Sequence, residues 1–376
     1  GRPRPPFDEI INELNEAALP VFAIDIPSGL HPEEGRAELA VEAFRTITMG
    51  LPKIGMVSND GPFFTGSVRV EKLDFPEELL ESAESNCYTL TPAEARTMLP
   101  PRAPNSHKGS FGMVVIAAGS AAMPGASILC GIGAMRAGCG LVRLHVPSKI
   151  RPIAAGQIPE AIYSDTKAGK KELKTLSDQD MKMMLDRATA MAIGPGIGQR
   201  PGTKGFLRQV LSQVELPMII DADALNLIAE NDELAGLLRP SHILTPHPGE
   251  MSRLLEISTK EIQQDRWSAA REAARKFECT VLLKGFGTLV AESNGKVTHI
   301  PSGNSAWARG GAGDILTGMI GSFLAQGLEP PQAAMLGALV HGMAADIYTE
   351  GFSARGATIR DVAEFLPDAF RELEDA

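Results

Sequence analysis

From Gly112 onward the chain repeats one rhythm: a short unbroken apolar run, a stop at Gly, Pro, Asp or His, then a stretch with helical spacing. The runs are Met113–Ala117, Ala190–Ile193, Met218–Ile220, His242–Leu244 and Val281–Leu283. A strand covered on one face alternates apolar and polar residues, so a run without alternation needs cover on both faces. Strands of that kind belong to a parallel sheet between layers of helix. Helices are expected at Ala126–Ala137, Ala224–Glu230, Lys260–Phe277, Asp314–Ala325 and Pro331–Tyr348. Alternating strand and helix predicts an α/β layered fold, in which ligands gather beyond the carboxyl ends of the strands. The unusual residues of this sequence concentrate at those ends.

A length of 376 residues suits two domains. Before the rhythm begins, a helix is expected over Phe7–Ala18 and strands over Val21–Ile26 and Ser67–Leu73. The acidic, weakly periodic stretch from Pro76 to Pro92 reads as a connection, with a first domain over 1–80, a linker over 81–89 and a second domain over 90–376. The opening Gly1-Arg2-Pro3 and the interior character of the 21–26 strand suggest a start inside a domain. The net charge of −10 repels nucleic acid and anionic membranes. It does not exclude a small phosphate ligand, which backbone N–H groups can hold locally. Four scattered cysteines, Cys87, Cys130, Cys139 and Cys279, form no Cys-x-x-Cys pair. They read as free thiols of a cytoplasmic protein, and no leader or bilayer-length apolar run is found.

The segment Gly310-Gly311-Ala312-Gly313-Asp314 carries the sharpest chemical signal. Three glycines within four positions allow a tight turn and a close ligand approach. The apolar run Ile315–Leu324 follows as a helix, stopped by Gly327. Unpaired N–H groups and the helix dipole make such an N-terminus an anion hole for a transferring phosphoryl group. A carboxylate there can orient an attacking hydroxyl and accept its proton. The dipole holds Asp314 ionised and thereby weakens it as a base. The plain alternative is a Gly-rich turn with a helix-favouring Asp.

Other strand ends add to this. Lys284 and Thr288, in Lys284-Gly285-Phe286-Gly287-Thr288, suit phosphate by charge and by hydroxyl; a β-turn with a solvated lysine is the alternative. Asp221 and Asp223 after Ile220 suit either Mg²⁺ held through water or helix capping, with capping the favoured reading of each. The rigid loop Thr245-Pro246-His247-Pro248-Gly249-Glu250 presents His247 and Glu250 to a ligand. Gly194-Pro195-Gly196-Ile197-Gly198 is a further Gly-rich loop, and Gly125 and Ala126 leave room beside a helix start.

Together with His107-Lys108-Gly109-Ser110-Phe111-Gly112, and in this order, these motifs resemble the ADP/ATP-dependent NAD(P)H-hydrate dehydratase family from about Thr89 to the C-terminus. The resemblance implies a ribokinase-like three-layer domain with a mostly parallel central sheet. It implies phosphorylation of the C6 hydroxyl of NAD(P)H hydrate by ADP, with Mg²⁺, and phosphate elimination to restore NAD(P)H. By the same likeness Asp314 is the catalytic base. Lys284, Gly285, Phe286, Gly287, Thr288, Asn304, Arg309, Gly310, Gly311, Ala312 and Gly313 match nucleotide-binding positions. Ala126, Gly198, His247, Pro248, Gly249, Glu250, Met251, Ser252, Arg253 and Asp314 match positions that hold the hydrate. Relatives assemble as tetramers or larger rings, so a homo-oligomer is implied.

Residues 1–73 resemble the C-terminal part of an NAD(P)H-hydrate epimerase domain, a partial Rossmann-like α/β unit. Asp25 matches its substrate-contacting, catalytic carboxylate and Ser28 a K⁺ ligand. The likeness implies a bifunctional parent protein, with no epimerase activity in this chain alone. Trp307 and Arg309 depart from the family pattern by their bulk, and Arg309 either adds a phosphate contact or crowds the loop. The rival readings are a ribokinase-like kinase of a small vitamin precursor and a catalytically silent nucleotide sensor.

Overall fold

The computed structural model describes residues 2–76, 78, 79 and 85–376. It divides the chain into two compact units, one of residues 1–87 with 263–266 and one of residues 88–262 with 267–376. Positions 81–84 of the expected linker, and Gly1, lie outside the described residues.

The amino-terminal unit has a helix, Phe7–Glu16, and three parallel strands: β1 (Phe22–Ile24), β2 (Arg45–Met49) and β3 (Ser67–Glu71). The helix, β1 and β3 are each shorter than expected, and β2 was not expected. Asp25 leaves the extended conformation at the end of β1, with φ 68°.

In the larger unit ten strands form one sheet: β4 (Cys87–Thr89), β5 (Met113–Ala117), β6 (Leu141–His145), β7 (Ile162–Tyr163), β8 (Ala190–Ile193), β9 (Met218–Ile220), β10 (His242–Leu244), β11 (Thr280–Leu283), β12 (Thr288–Ala291) and β13 (Val297–Ile300). Their order is β4-β13-β12-β11-β10-β9-β8-β5-β6-β7. From β11 across to β7 every pairing is parallel, while β12 and β13 turn back antiparallel. Residues in β5, β8, β9, β10 and β11 are buried at every position. That is the burial their unbroken apolar runs demand.

The chain runs outward from β5 through β6 to β7, returns to the other flank of β5, and continues from β8 to β11. Between β5 and β8 the connections therefore leave in opposite directions, which opens a crevice at the strand ends. The loops that follow these two strands, 118–123 and 194–198, border that crevice.

Two helices bring the carboxyl side of the sheet together. Ala312–Ala325 is buried over almost its whole length and crosses Pro124–Arg136 at very short range. A Cβ added at Gly318 would lie 1.9 Å from the Cys130 carbonyl oxygen, and one at Gly133 would lie 2.1 Å from that of Ile315. Only glycine permits this approach. Gly327, with φ 93°, ends the first helix in the left-handed conformation that glycine favours.

One helix expected over Lys260–Phe277 is two, Thr259–Gln264 and Arg266–Phe277. The break falls at Asp265, within residues 263–266 that cluster with the amino-terminal unit, and no Gly or Pro marks it.

Gly318→Ala should destabilise the protein by about 1–3 kcal/mol through overpacking. Gly310→Ala should be nearly neutral in stability, because nothing lies within 4 Å of the added Cβ. Urea unfolding of both variants measures the difference; equal midpoints would contradict the close crossing.

Candidate active site

Asp221 follows β9, and its side chain is 2% exposed. A buried carboxylate needs charged and hydrogen-bonded partners. Lys284, directly after β11, places Nζ 2.6 Å from Oδ1. The Thr317 hydroxyl donates to Oδ2 at 2.7 Å. Glu250 Oε2 stands 3.7 Å from the same ammonium. Burial alone would push the Lys284 pKa down, but Asp221 and Glu250 outweigh it and hold it above the usual lysine range. The lysine is therefore a fixed cation and not a solvated turn residue. A Cβ at Gly313 would lie 3.5 Å from Nζ and 3.7 Å from Asp221 Oδ2, so this ion pair lies directly against the glycine turn.

The turn is built as its residues require. Gly311, at φ 100°, caps the helix Ala312–Ala325. The amides of Gly310, Gly311 and Gly313 donate to no protein acceptor among the described residues. Beneath the turn, the indole of Trp307 stacks on His341, with ring centres 4.1 Å apart and planes within 9°. Trp307 Nε1 donates to the His341 carbonyl at 2.6 Å. His341 Nε2 lies 3.2 Å from the Ala312 carbonyl, which can only accept, so this nitrogen carries the proton. Burial lowers the His341 pKa to about 3, and the imidazole stays neutral. The bulk of Trp307 thus fills the space under the loop instead of crowding it.

Asp314 is the third residue of the helix. Its proton affinity differs from the sequence expectation. Burial first, then the charges of Asp221 and Asp223, raise its pKa to about 7, against the pull of Lys284. The carboxylate is thus a stronger base than its position at a helix start alone implied.

Around this centre stand the other strand-end loops. Gly198 N–H donates to Asp223 Oδ2 at 2.8 Å, and Gln199 Nε2 to Oδ1 at 3.1 Å. Neither Asp221 nor Asp223 caps the following helix, contrary to the favoured reading. Ala222 occupies the cap position at φ 53°, and both carboxylates serve partners elsewhere. A Cβ at Gly196 would lie 2.8 Å from that of Ala126, so the 194–198 loop lies against the first turn of Pro124–Arg136. His247 caps the helix Pro248–Leu255. Its Nδ1 accepts from the Gly249 and Glu250 amides at 3.0 and 3.3 Å, while Nε2 faces Glu250 Oε1 at 3.3 Å. Burial lowers its pKa, which suits the neutral, accepting ring.

Several expected contacts are engaged elsewhere. Met251 is fully buried in the core, and the Ser252 hydroxyl donates to the Ile257 carbonyl at 2.5 Å. Arg253 Nε donates to Asn226 Oδ1 at 2.8 Å. The Thr288 hydroxyl donates to Gly285 O at 3.0 Å, closing the β11–β12 hairpin. Phe286 stands 66% exposed at its tip. Asn304 donates to Asp346 Oδ1 and Thr349 Oγ1 at 2.9 and 3.0 Å. Arg309 donates to the Ala354 and Arg355 carbonyls at 2.8 and 2.6 Å and braces that loop. Asp346, His341 and Thr317 were not singled out in the sequence. Their partners lie 42, 29 and 96 residues away, and no local pattern reports such pairings.

In the amino-terminal unit Asp25 Oδ1 accepts from Lys53 Nζ, from Met49 N at 3.1 Å and from Thr48 Oγ1 at 3.3 Å. The Lys53 hydrogen bond first, then that of Met49, hold its pKa below the usual carboxylate value. Ser28 is exposed, and its carbonyl accepts from Val41 N at 3.0 Å. One hydroxyl does not make a K⁺ site, which takes several oxygens. Among the described residues no group of three His, Cys, Asp or Glu could hold a metal, no disulfide joins the cysteines, and no helix is long and apolar enough to cross a membrane.

Residues 114–368 match the family model described as NAD(P)H-hydrate dehydratase, and residues 1–55 match that of the YjeF-related protein N-terminus. The bifunctional NAD(P)H-hydrate repair enzyme Nnr of Moorella thermoacetica is 37% identical over 373 residues, covering 97% of this chain and 69% of the relative. A crystal structure of ADP/ATP-dependent NAD(P)H-hydrate dehydratase from Bacillus subtilis, co-crystallised with ATP and Mg²⁺, is 33% identical with a TM-score of 0.65, covering 76% of this chain and 99% of that one. A ribokinase-like superfamily protein from Enterococcus faecalis, at 22% identity and TM-score 0.65 over 78% of this chain and 98% of its own, shares the fold.

Because the Asp314 carboxyl binds its proton more tightly when folded, its ionised form opposes folding at alkaline pH. This penalty is absent below the unfolded pKa of about 3.8 and grows as pH rises to about 7. Asp314→Asn should therefore stabilise the ligand-free protein at pH 8, by on the order of a few kcal/mol. The gain should shrink towards pH 4. Thermal unfolding at both pH values tests this, and a gain independent of pH would contradict it.

Proposed function

The chain belongs to the NAD(P)H-hydrate dehydratase family, and from that premise we propose that its glycine turn and Asp314 phosphorylate the C6 hydroxyl of hydrated NAD(P)H at the expense of ADP. The observation that supports this most is the placement of Asp314. A carboxylate with a pKa near 7 adjoins amides without protein acceptors and a fixed lysine cation. Asp314 takes the hydroxyl proton as the C6 oxygen attacks the terminal phosphorus of ADP, and the bridging P–O bond breaks to release AMP. The Gly310, Gly311 and Gly313 amides and Lys284 stabilise charge on the transferring oxygens. The C6–O bond then breaks with its electron pair departing on the phosphate, C5 loses a proton to solvent, and the C5–C6 double bond of the reduced ring is restored. His247, Glu250, Ala126 and Gly198 border the crevice in which the nicotinamide half would lie.

Mg²⁺ fits as an ion brought in by the nucleotide. Asp221, Asp223 and Asp314 already repel one another, and the described residues offer no complete protein cage. When bound, it would neutralise phosphate oxygens. ADP as donor rests on the resemblance of the His-Pro-Gly-Glu loop at 247–250 to that of the family's bacterial and archaeal members. A cytoplasmic homo-oligomer completes the proposal.

With hydrated NADPH, Mg²⁺ and ADP, the near-ultraviolet absorbance of reduced nicotinamide should recover, with little recovery on ATP. The log of kcat/KM should climb below pH about 7 and level off above it, since the base must be ionised. Asp314→Asn should lose on the order of 10³-fold or more. Full activity in that variant would remove Asp314 from its role, and a stable phosphate ester as product would mark a kinase instead.

A further inference from the structure

Residues 165–174 read Asp-Thr-Lys-Ala-Gly-Lys-Lys-Glu-Leu-Lys, four exposed lysines within ten residues on a chain of net charge −10. A run of this kind is usually a solvated loop, but here the backbone is fixed. Ala168 and Leu173 are buried, and Lys174 N–H donates to the Ala168 carbonyl at 3.2 Å. Two strand-end loops hold the segment from outside. Ala121 N–H donates to the Lys171 carbonyl at 2.9 Å, Ser148 N–H to that of Gly169 at 2.9 Å, and Lys149 N–H to that of Lys170 at 3.1 Å.

Ala121 belongs to the loop after β5 that borders the crevice. In the same loop Gly119 N–H donates to the Pro195 carbonyl at 2.7 Å. Met123 Cβ stands 3.1 Å from the place a Gly196 Cβ would take. The lysine segment is thus joined through one short loop to the wall formed by Ala126 and residues 194–198.

Its positive charge is not compensated. Both acids of the segment are engaged by arginines, Asp165 by Arg151 at 3.5 Å and Glu172 by Arg200 at 3.4 Å. Lys149, Lys167, Lys170, Lys171 and Lys174 enter no ion pair among the described residues. Clustered like charges repel one another and attract a multivalent anion. The overall acidity of the chain argues against a polyanion such as nucleic acid, so a single phosphate group is the better match.

We propose that this lysine rim binds a phosphomonoester on the dinucleotide substrate, so that the site favours hydrated NADPH, which bears the extra phosphate, over hydrated NADH. The inference rests on the dehydratase reading and adds to it the choice between the two hydrates. Both hydrates share the pyrophosphate bridge, whose phosphates each carry one charge. Only a monoester brings about −1.5 to −2 at one point near neutral pH. Exposed ammoniums at the crevice mouth suit that dianion, whereas the backbone amides of the turn at 310–313 suit the phosphoryl being transferred.

The test compares Lys170→Gln/Lys171→Gln with the unaltered protein on both hydrates. The value of kcat/KM for hydrated NADPH should fall about tenfold and lose most of its salt dependence. Values for hydrated NADH should stay within about twofold, and the KM for ADP should not move. Lys170→Arg/Lys171→Arg should keep the preference. Equal losses on both hydrates, or none on either, would overturn the proposal. Equilibrium binding of NADPH and NADH, followed by nicotinamide fluorescence, reads the rim without turnover. The unaltered protein should bind NADPH more tightly, and the double Gln variant should bind both alike. Equal affinity in the unaltered protein would overturn the rim, while failure to convert either hydrate would sink the dehydratase reading alone.

Discussion

A carboxylate shut away from water organises this site. Asp221 sits at the end of a central strand, and its two oxygens are taken by Lys284 from the end of β11, two strands across, and by Thr317 from the helix Ala312–Ala325. Removing one partner from such a buried pair costs about 3–5 kcal/mol, whereas replacing the pair by apolar residues is often harmless. Its retention is therefore better explained by position than by stability. One acid sets the place of the lysine, ties the helix to the sheet, and raises the proton affinity of Asp314. Strain between two like charges thus becomes a base suited to neutral pH.

Backbone geometry makes that arrangement possible. Gly133 and Gly318 let two helices cross closer than side chains allow, and the 310–314 turn lies against Asp221 and Lys284 at the ends of β9 and β11. Trp307 and His341 then support the turn from below, and Asp346 holds the Gly303 amide and Asn304. These residues need not meet a ligand to matter, because they hold the amides in place before any phosphate arrives.

Much of this was legible in the sequence. The runs Met113–Ala117, Ala190–Ile193, Met218–Ile220 and His242–Leu244 coincide with strands, because strands buried on both faces leave a continuous apolar trace. The strand Leu141–His145 escaped notice because Arg143 interrupts that trace. Its guanidinium is buried and donates to the carbonyls of Met183, Met184 and Asp186. The antiparallel β12 and β13 are only four residues each, too short to leave a clear periodic trace. Glycine and aspartate spacing located the 310–314 turn, yet it misjudged Asp314 as a weak base. The dipole belongs to local sequence, while Asp221 and Asp223 approach from a strand end about ninety residues earlier. The capping reading of those two acids failed for the same reason: their partners are distant, and a left-handed Ala222 takes the cap.

The most direct measurement follows one oxygen atom. Hydrated NADPH labelled with ¹⁸O at the C6 hydroxyl is converted in the presence of ADP and Mg²⁺, and the inorganic phosphate is weighed by mass spectrometry. If the glycine turn and Asp314 drive attack of that hydroxyl on phosphorus, each phosphate released carries the label. Label found in water, with unlabelled phosphate, would mean that the hydroxyl departs without ever being phosphorylated.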